Sequence, residues 1–290
     1  MSTKIINGRE LSNIVKAEVK VEIDKILTSG KRKPNLAVIL VGDDEASKIY
    51  VKNKQKAAEE INIDSQSHFL PTDSSKSEVM DEIMQLNAND NVDGILLQLP
   101  LPAHLREDEN DLLTLIDPAK DVDGFHPLNI GKLNLGLPGP VTCTPAGIIR
   151  MLEETGQDLS GKHAVILGRS NTVGKPLIQL LLQKNCTVTV THSKTQNMPE
   201  ITKQADILIA AIGQSEFVTG DMVKDGVKVI DVGINRQEDG KLKGDVHFES
   251  VSEKATYITK VPGGVGPMTV AMLMSNTLDC YKRRNGIEVN

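Results

Sequence analysis

Short apolar runs rich in β-branched residues alternate along this chain with longer stretches in which apolar positions recur every three to four residues. The first pattern predicts buried strands and the second amphipathic helices, so their alternation predicts parallel strands joined by crossover helices, an α/β fold. Strands are expected at 36–42 (LAVILVG), 94–99 (GILLQL), 163–168 (HAVILG), 187–192 (TVTVTH), 206–213 (DILIAAIG) and 227–234 (VKVIDVGI). Helices are expected at 8–29, 46–62, 75–88, 107–116, 145–155, 174–185 and 198–204, with a last one near 267–284. Between the two strand-rich blocks, residues 117–145 are rich in proline and glycine and show no clear period, which predicts a long loop carrying function.

Composition narrows the classes of partner. The 290 residues carry 33 Lys+Arg against 39 Asp+Glu, a formal net charge of -6, so neither a phosphate backbone nor an anionic lipid surface is an expected partner. With no Trp, three Tyr and four Phe, an aromatic platform for nucleic acid is excluded and the core must be aliphatic. Three cysteines far apart, with no CxxC pair, suggest neither a disulfide framework nor a thiolate zinc site. The first residues lack the apolar core of a signal peptide and no run is long enough to span a bilayer, which makes a cytoplasmic protein the expectation.

The strand at 163–168 runs into GRSNTVGKP (168–176) and then a helix and a second strand, the order of a mononucleotide-binding βαβ unit. Gly168 suits the tight turn and Gly174 close helix packing, while Ser170 replaces the middle glycine of the usual fingerprint; by itself the turn also fits an ordinary strand-to-helix loop. Charge favours an anion, because no acidic residue lies between Asp158 and Glu200 whereas Arg169, Lys175, Lys184, His192 and Lys194 do. The second strand ends in Thr191-His192-Ser193-Lys194 without the acid that holds the ribose hydroxyls of NAD, so NADP fits better.

In the expected helix at 46–62, Tyr50, Lys54, Ala57, Ala58 and Ile61 form one stripe, which places Lys54 on the apolar side with Tyr50 one turn away. A desolvated lysine sheds its proton near neutral pH and becomes a candidate general base or acid; the alternative is a lysine snorkelling at the edge of the stripe. Gln98 interrupts an apolar strand near its carboxyl end, where open α/β sheets place ligands. Asp121 and Asp123 sit in the long loop as turn formers or ligand carboxylates. Near the C-terminus, KVPGGVGPMTVAM (260–272) is either an elaborate helix start or a backbone-lined ligand wall. No metal is expected, since the six histidines show no HxxxH or HExxH spacing.

Together these segments resemble the bifunctional methylenetetrahydrofolate dehydrogenase/cyclohydrolase family over essentially the whole chain. The resemblance is carried by SKIYVKNKQKAAEEINI (47–63), GILLQLPLP (94–102), PAKDVDGFHPLNIGKL (118–133), TCTPAG (142–147), GRSNTVGKP (168–176), VTHSKT (190–195), KVIDVGIN (228–235), GDV (244–246) and VPGGVGPMTVAML (261–273). It implies two α/β domains flanking a cleft. Residues 1–140 plus 268–290 would form the folate-binding catalytic domain, and 141–267 a Rossmann-like NADP-binding domain with a parallel sheet. By the same resemblance Lys54 is the catalytic lysine, Tyr50 stacks on the folate, Gln98 tunes the lysine and Asp123 grips the pterin. Leu97, Leu99, Pro262, Gly263, Gly264, Pro267 and Thr269 complete the folate contacts. Arg169 and Ser193 would receive the 2′-phosphate of NADP, Gly168, Ser170 and Val173 form the phosphate-side turn, and Ile234 lies at the nicotinamide end. A homodimer is implied as well. The implied chemistry is NADP-dependent oxidation of methylenetetrahydrofolate and hydrolysis of the methenyl product to 10-formyltetrahydrofolate, in one-carbon metabolism. The alternative is a monofunctional NAD-dependent dehydrogenase of the same fold, disfavoured by Arg169 and Lys54. Two positions depart from the family pattern: Thr142 and Lys260 stand where proline is common.

Overall fold

The computed structural model describes residues 3–289. In chain order the elements are β1 (Lys4–Ile6), α1 (Gly8–Thr28), β2 (Asn35–Val41), α2 (Glu45–Glu60), β3 (Asp64–Leu70), α3 (Lys76–Ala88), β4 (Gly94–Leu97), α4 (Glu109–Leu115), α5 (Pro127–Asn134), α6 (Cys143–Glu153) and β5 (His163–Leu167). There follow α7 (Gly174–Gln183), β6 (Thr187–Thr191), α8 (Met198–Thr202), β7 (Ile207–Ala210), β8 (Lys228–Asp231), β9 (Asn235–Arg236), β10 (Leu242–Lys243), α9 (Phe248–Ser252), β11 (Tyr257–Thr259) and α10 (Val265–Arg284). The described chain divides into two compact units, one of residues 13–143 and 270–289, the other of residues 3–12 and 144–269.

In the first of these, β3, β2 and β4 form a three-stranded parallel sheet in that order. Its central strand, NLAVILV, is buried on both faces, as a parallel strand covered by helices must be. Ala37, Ile39, Val41, Ile95 and Leu97 from the sheet pack with Val79, Ile83 and Leu86 of α3 and Leu112 of α4. Each fully buried Leu, Ile or Val contributes about 2 kcal/mol of transfer free energy. Helix starts are chemically marked: the Asp44 carboxylate accepts from Ser47 N, and Ser75 and Glu78 form a reciprocal capping box on α3.

The other unit holds a six-stranded parallel sheet in the order β1-β11-β8-β7-β5-β6, with a small antiparallel hairpin, β9 and β10, beyond β8. Its core is Val165, Leu167, Leu208, Ala210, Val229 and Ile258, joined by Val218, Val246 and Val251. The order places β5 beside β6 and β7, which aligns the carboxyl ends of these strands on one edge.

Several expectations need correction. The stretch 117–145 is not structureless: α5 forms inside it, with Pro127 at its first position and the His126 ring accepting from Leu128 N. Strand β3 has no apolar run to announce it, because DSQSHFL offers an almost wholly polar sequence to a sheet edge. Residues 4–6 pair with β11 in the six-stranded sheet, so this strand sits with the unit of residues 144–269 and not, as the sequence leads one to expect, with the rest of 1–140. The strand expected at 206–213 stops at Ala210, because the amides of Ile212, Gly213 and Gln214 turn away to donate to the Asp245 carboxylate.

Candidate active site

Helix α2 buries a stripe of Ser47, Val51, Ala57 and Ala58, and Lys54 lies on the same side, half-buried. Tyr50 does not share that stripe; the residue is 46% exposed, because Val51 takes the buried position one residue on. The ammonium of Lys54 donates to Oε1 of Gln98 at 2.8 Å. Gln98 follows the last residue of β4 and is fixed at both ends: its amide N donates to Ile39 O at 2.8 Å, and its side-chain Nε2 donates to Leu99 O. A neutral amide therefore holds the lysine head without supplying a countercharge.

Burial lowers the pKa of Lys54, opposed by the nearby Asp123 and Cys143. The pKa of Asp123 is pushed up to about 6, chiefly by burial and further by Asp121, against the pull of Lys54 and a hydrogen bond with the Cys143 thiol. Burial, followed by the charge of Asp123, holds the Cys143 thiol well above its ordinary range and so protonated.

The two loop aspartates separate cleanly. Asp121 is 2% exposed and spends its oxygens on the amides of Gly124, Phe125 and His126 and on Asn129 Nδ2, at 2.8 to 3.2 Å. It is the turn former, and Asp123 is left facing the lysine. Beneath them Lys120, 0% exposed, donates to the carbonyls of Leu86, Asn87 and Asn89 at 2.7 to 2.9 Å, closing the end of α3 and fixing the loop. From α10, Asn276 Nδ2 donates to Val122 O at 2.7 Å and Val141 O at 2.8 Å. Cys143, Lys120 and Asn276 are the participants that sequence reasoning missed; only Lys120, a charge in an otherwise apolar junction, left a signal. Leu99 borders Gln98 and is half-buried, whereas Leu97 is 1% exposed and packed in the core, so it presents only backbone.

In the other unit, Gly168 ends β5 with φ +112°, and a Cβ there would lie 2.2 Å from Ala211 O. A Cβ on Gly174 would lie 2.4 Å from Gly168 O. Both positions require glycine for close approach. Ser170 Oγ accepts from Val173 N at 3.1 Å, fixing the turn ahead of α7. Gly168 N donates to Thr191 O at 2.9 Å, joining the turn that carries Arg169 to the end of β6, two residues before Ser193; Arg169 and Ser193 are both exposed. Among the described residues Arg169 has no ion-pair partner. A glycine cradle, a guanidinium with no ion-pair partner among the described residues and a stretch from 159 to 199 without an acidic residue are the donor set that a phosphorylated dinucleotide needs, so NADP fits. Ile234, 49% exposed, follows β8 and lies against the start of α10.

The segment before α10 is backbone-driven. Gly263 has φ +104° and its carbonyl accepts from Arg9 N at 3.2 Å, while the approach of Gly264 O to Gly8 leaves no room for a Cβ on Gly8. Pro262 is exposed and Pro267 half-buried, and Thr269 Oγ1 meets Thr144 Oγ1 at 2.9 Å. A cavity bounded by Lys243, Lys260 and Phe248 reaches Pro262 alone among the expected residues. Among the described residues one cluster, Glu216, His247 and Glu249, has ligand atoms within 4.8 Å of each other. Glu216 is paired with Lys243 and the His247 ring caps α9.

A dinucleotide-type turn in one α/β unit and a desolvated lysine opposite a carboxylate in the other define a nucleotide-dependent α/β oxidoreductase that also carries an acid–base site. The chain belongs to the tetrahydrofolate dehydrogenase/cyclohydrolase family: residues 6–123 match that family's catalytic domain and residues 142–285 its NAD(P)-binding domain. It is 52% identical over 282 residues to the "Bifunctional protein FolD" of Acetivibrio thermocellus, covering 97% of this chain and 98% of that one. Among solved structures it is similar to the bifunctional FolD methylenetetrahydrofolate dehydrogenase/cyclohydrolase from Campylobacter jejuni, with a TM-score of 0.94 and 48% identity over 98% of this chain and 100% of that one. It is similar, too, to the Trypanosoma brucei enzyme complexed with NADP and an inhibitor, with a TM-score of 0.92 and 35% identity over 98% of each chain.

Proposed function

We propose that Lys54, held by Gln98, is the proton-handling group of the hydrolytic half of this enzyme's two reactions. The enzyme oxidises methylenetetrahydrofolate with NADP and hydrolyses methenyltetrahydrofolate to 10-formyltetrahydrofolate. The observation that carries the lysine assignment is the 2.8 Å contact of its desolvated head with a neutral amide. A permanent carboxylate partner would keep the head charged, whereas Gln98 orients it in either protonation state. A cationic methenyl substrate beside it drives the proton off, and the free amine then takes a proton from the attacking water. The resulting ammonium returns that proton to the ring nitrogen as the carbon–nitrogen bond breaks, and the carbinol hydroxyl gives its own proton to the regenerated amine as the formyl C=O forms.

Asp123, ionised at neutral pH, meets the amino-pyrimidine edge of the pterin with paired hydrogen bonds. Tyr50, exposed on the turn of α2 before Lys54, offers its ring to the flat substrate. Arg169 and Ser193 hold the 2′-phosphate of NADP, with Gly168, Ser170 and Val173 at the phosphate turn and Ile234 toward the nicotinamide. Bound there, NADP+ supplies a hydride acceptor. The segment from Pro262 to Thr269 is assigned to folate contact.

We also read the chain as a homodimer of the cytoplasm. The open edge of β3 supports the dimer: Phe69 is 63% exposed, and the Ser65 and Ser67 hydroxyls are buried without a partner among the described residues. Three free, buried cysteines suit a reducing compartment. Sedimentation should give twice the 31.5 kDa chain mass; a monomer at micromolar concentration refutes that reading.

The enzymatic proposal is tested by a time course with methylenetetrahydrofolate and NADP+, following reduced cofactor and methenyl product together in a buffer that hydrolyses the latter slowly. Reduced cofactor rising while methenyl stays low places both activities on this chain. Methenyl accumulating in step with reduced cofactor would make it a dehydrogenase with a structural lysine.

A further inference from the structure

Two buried carboxylates at the end of the six-stranded sheet have no cationic partner among the described residues and no place in the chemistry above. Asp245, 0% exposed, accepts from Ile212 N at 2.7 Å, Gly213 N at 3.0 Å, Gln214 N at 2.9 Å and Asn235 Nδ2 at 2.9 Å. Asp231, 4% exposed, accepts from Gly233 N at 3.0 Å, Asp245 N at 2.9 Å and Val246 N at 3.0 Å. Each carboxylate lies where a Cβ on a glycine of the other's segment would stand: 2.2 Å from that on Gly233 for Asp245, and 1.8 Å from that on Gly244 for Asp231. The two loops are thereby interlocked.

What they hold is the floor of the cofactor region. The amides of 212–214 continue from Ala211, whose carbonyl is packed against Gly168 in the phosphate turn. Asn235 adjoins Ile234. Asp245 thus joins, through one side chain, the backing of the phosphate turn to the segment at the nicotinamide end. Four donors gathered on one dry carboxylate leave these loops a single arrangement, since releasing the carboxylate would orphan all of them.

We infer that Asp245 is a positioning residue for NADP, with Asp231 as its brace: it sets the alignment of the nicotinamide for hydride transfer without touching cofactor or substrate. This rests on the cofactor reading given above. Its chemistry requires an anion with two acceptor oxygens; an isosteric amide has one, and turns an NH2 group toward two of the four donors.

The test is Asp245→Asn in the full-length enzyme, read four ways. Amide hydrogen exchange at 212–214 should accelerate at least tenfold in the cofactor-free protein. The Kd for NADPH, followed by cofactor fluorescence, should rise on the order of tenfold. Dehydrogenase kcat should fall with an increased primary deuterium isotope effect, because misaligned hydride transfer becomes rate-limiting. Hydrolysis of supplied methenyl substrate, which needs no cofactor, should continue at the parent rate and certifies the fold. Asn235→Ala, which removes one donor of the four, is the milder second variant and should give the same pattern at about threefold. Unchanged exchange, Kd and isotope effect in both variants overturn the inference, as does an equal loss of both activities. If the parent enzyme itself fails to bind NADPH, the cofactor reading falls first and this inference with it.

Discussion

Asp123 carries two opposed burdens, and Asp123→Asn separates them. Burial pushes its pKa up to about 6, well above the ordinary carboxylate value of 3.8. Burial therefore favours its protonated form, and the folded chain binds the proton more tightly than the unfolded one. The sign follows: the stabilisation is complete below the unfolded pKa and is lost as pH rises through the folded value. At about pH 7.5 the charged side chain costs the folded protein about 3 kcal/mol relative to its neutral form, and at about pH 5 roughly half of that. The side chain retains some solvent exposure, so the first figure is an upper bound. Asparagine mimics the neutral carboxyl. The variant should be more stable than the parent by up to about 3 kcal/mol near pH 7.5, with the gain shrinking to roughly half near pH 5. Both reactions should nonetheless collapse, with KM for folate up at least tenfold. Urea unfolding followed by circular dichroism at the two pH values, with kinetics on the same preparations, makes the comparison. A variant less stable than the parent near pH 7.5, or a gain independent of pH, would refute the assignment of a buried, function-bound charge.

Arg169→Ala should weaken NADP+ by roughly 10- to 100-fold, the value of a charge-assisted contact, and leave NAD+ nearly untouched; equal losses on both cofactors would contradict the 2′-phosphate role. Acidification through about pH 6 should raise KM for folate as Asp123 takes a proton, and a flat profile from pH 5 to 8 argues against its ionised role. Gly168→Ala places a Cβ 2.2 Å from Ala211 O in a left-handed backbone, so it should lower stability by about 1 to 3 kcal/mol and abolish NADPH binding; normal binding contradicts the close approach.

The strands that were legible were those buried on both faces, such as LAVILV and AVIL, where continuous apolar runs leave no alternative. An edge strand such as β3 has half its surface in polar surroundings, and nothing in DSQSHFL separates it from a loop. Lys54 and Gln98 could be read because each breaks an apolar pattern. By residue pattern Asp121 and Asp123 are indistinguishable, and only the resemblance singles out Asp123, since the folded loop alone decides which carboxylate collects the backbone amides. Tyr50 was placed one position off the buried stripe because Ser47 is small enough to bury and Val51 follows it. Cys143 and Asn276 come to Asp123 from segments distant in sequence, where no local pattern announces them.

The central claim is that one lysine serves hydrolysis and not oxidation. The most direct measurement is the time course of Lys54→Met with methylenetetrahydrofolate and NADP+, with reduced cofactor and methenyl product recorded together. The account predicts that reduced cofactor still forms while methenyl accumulates in step with it and decays only at the rate of the buffer. Hydrolysis by the variant at the parent rate would contradict it.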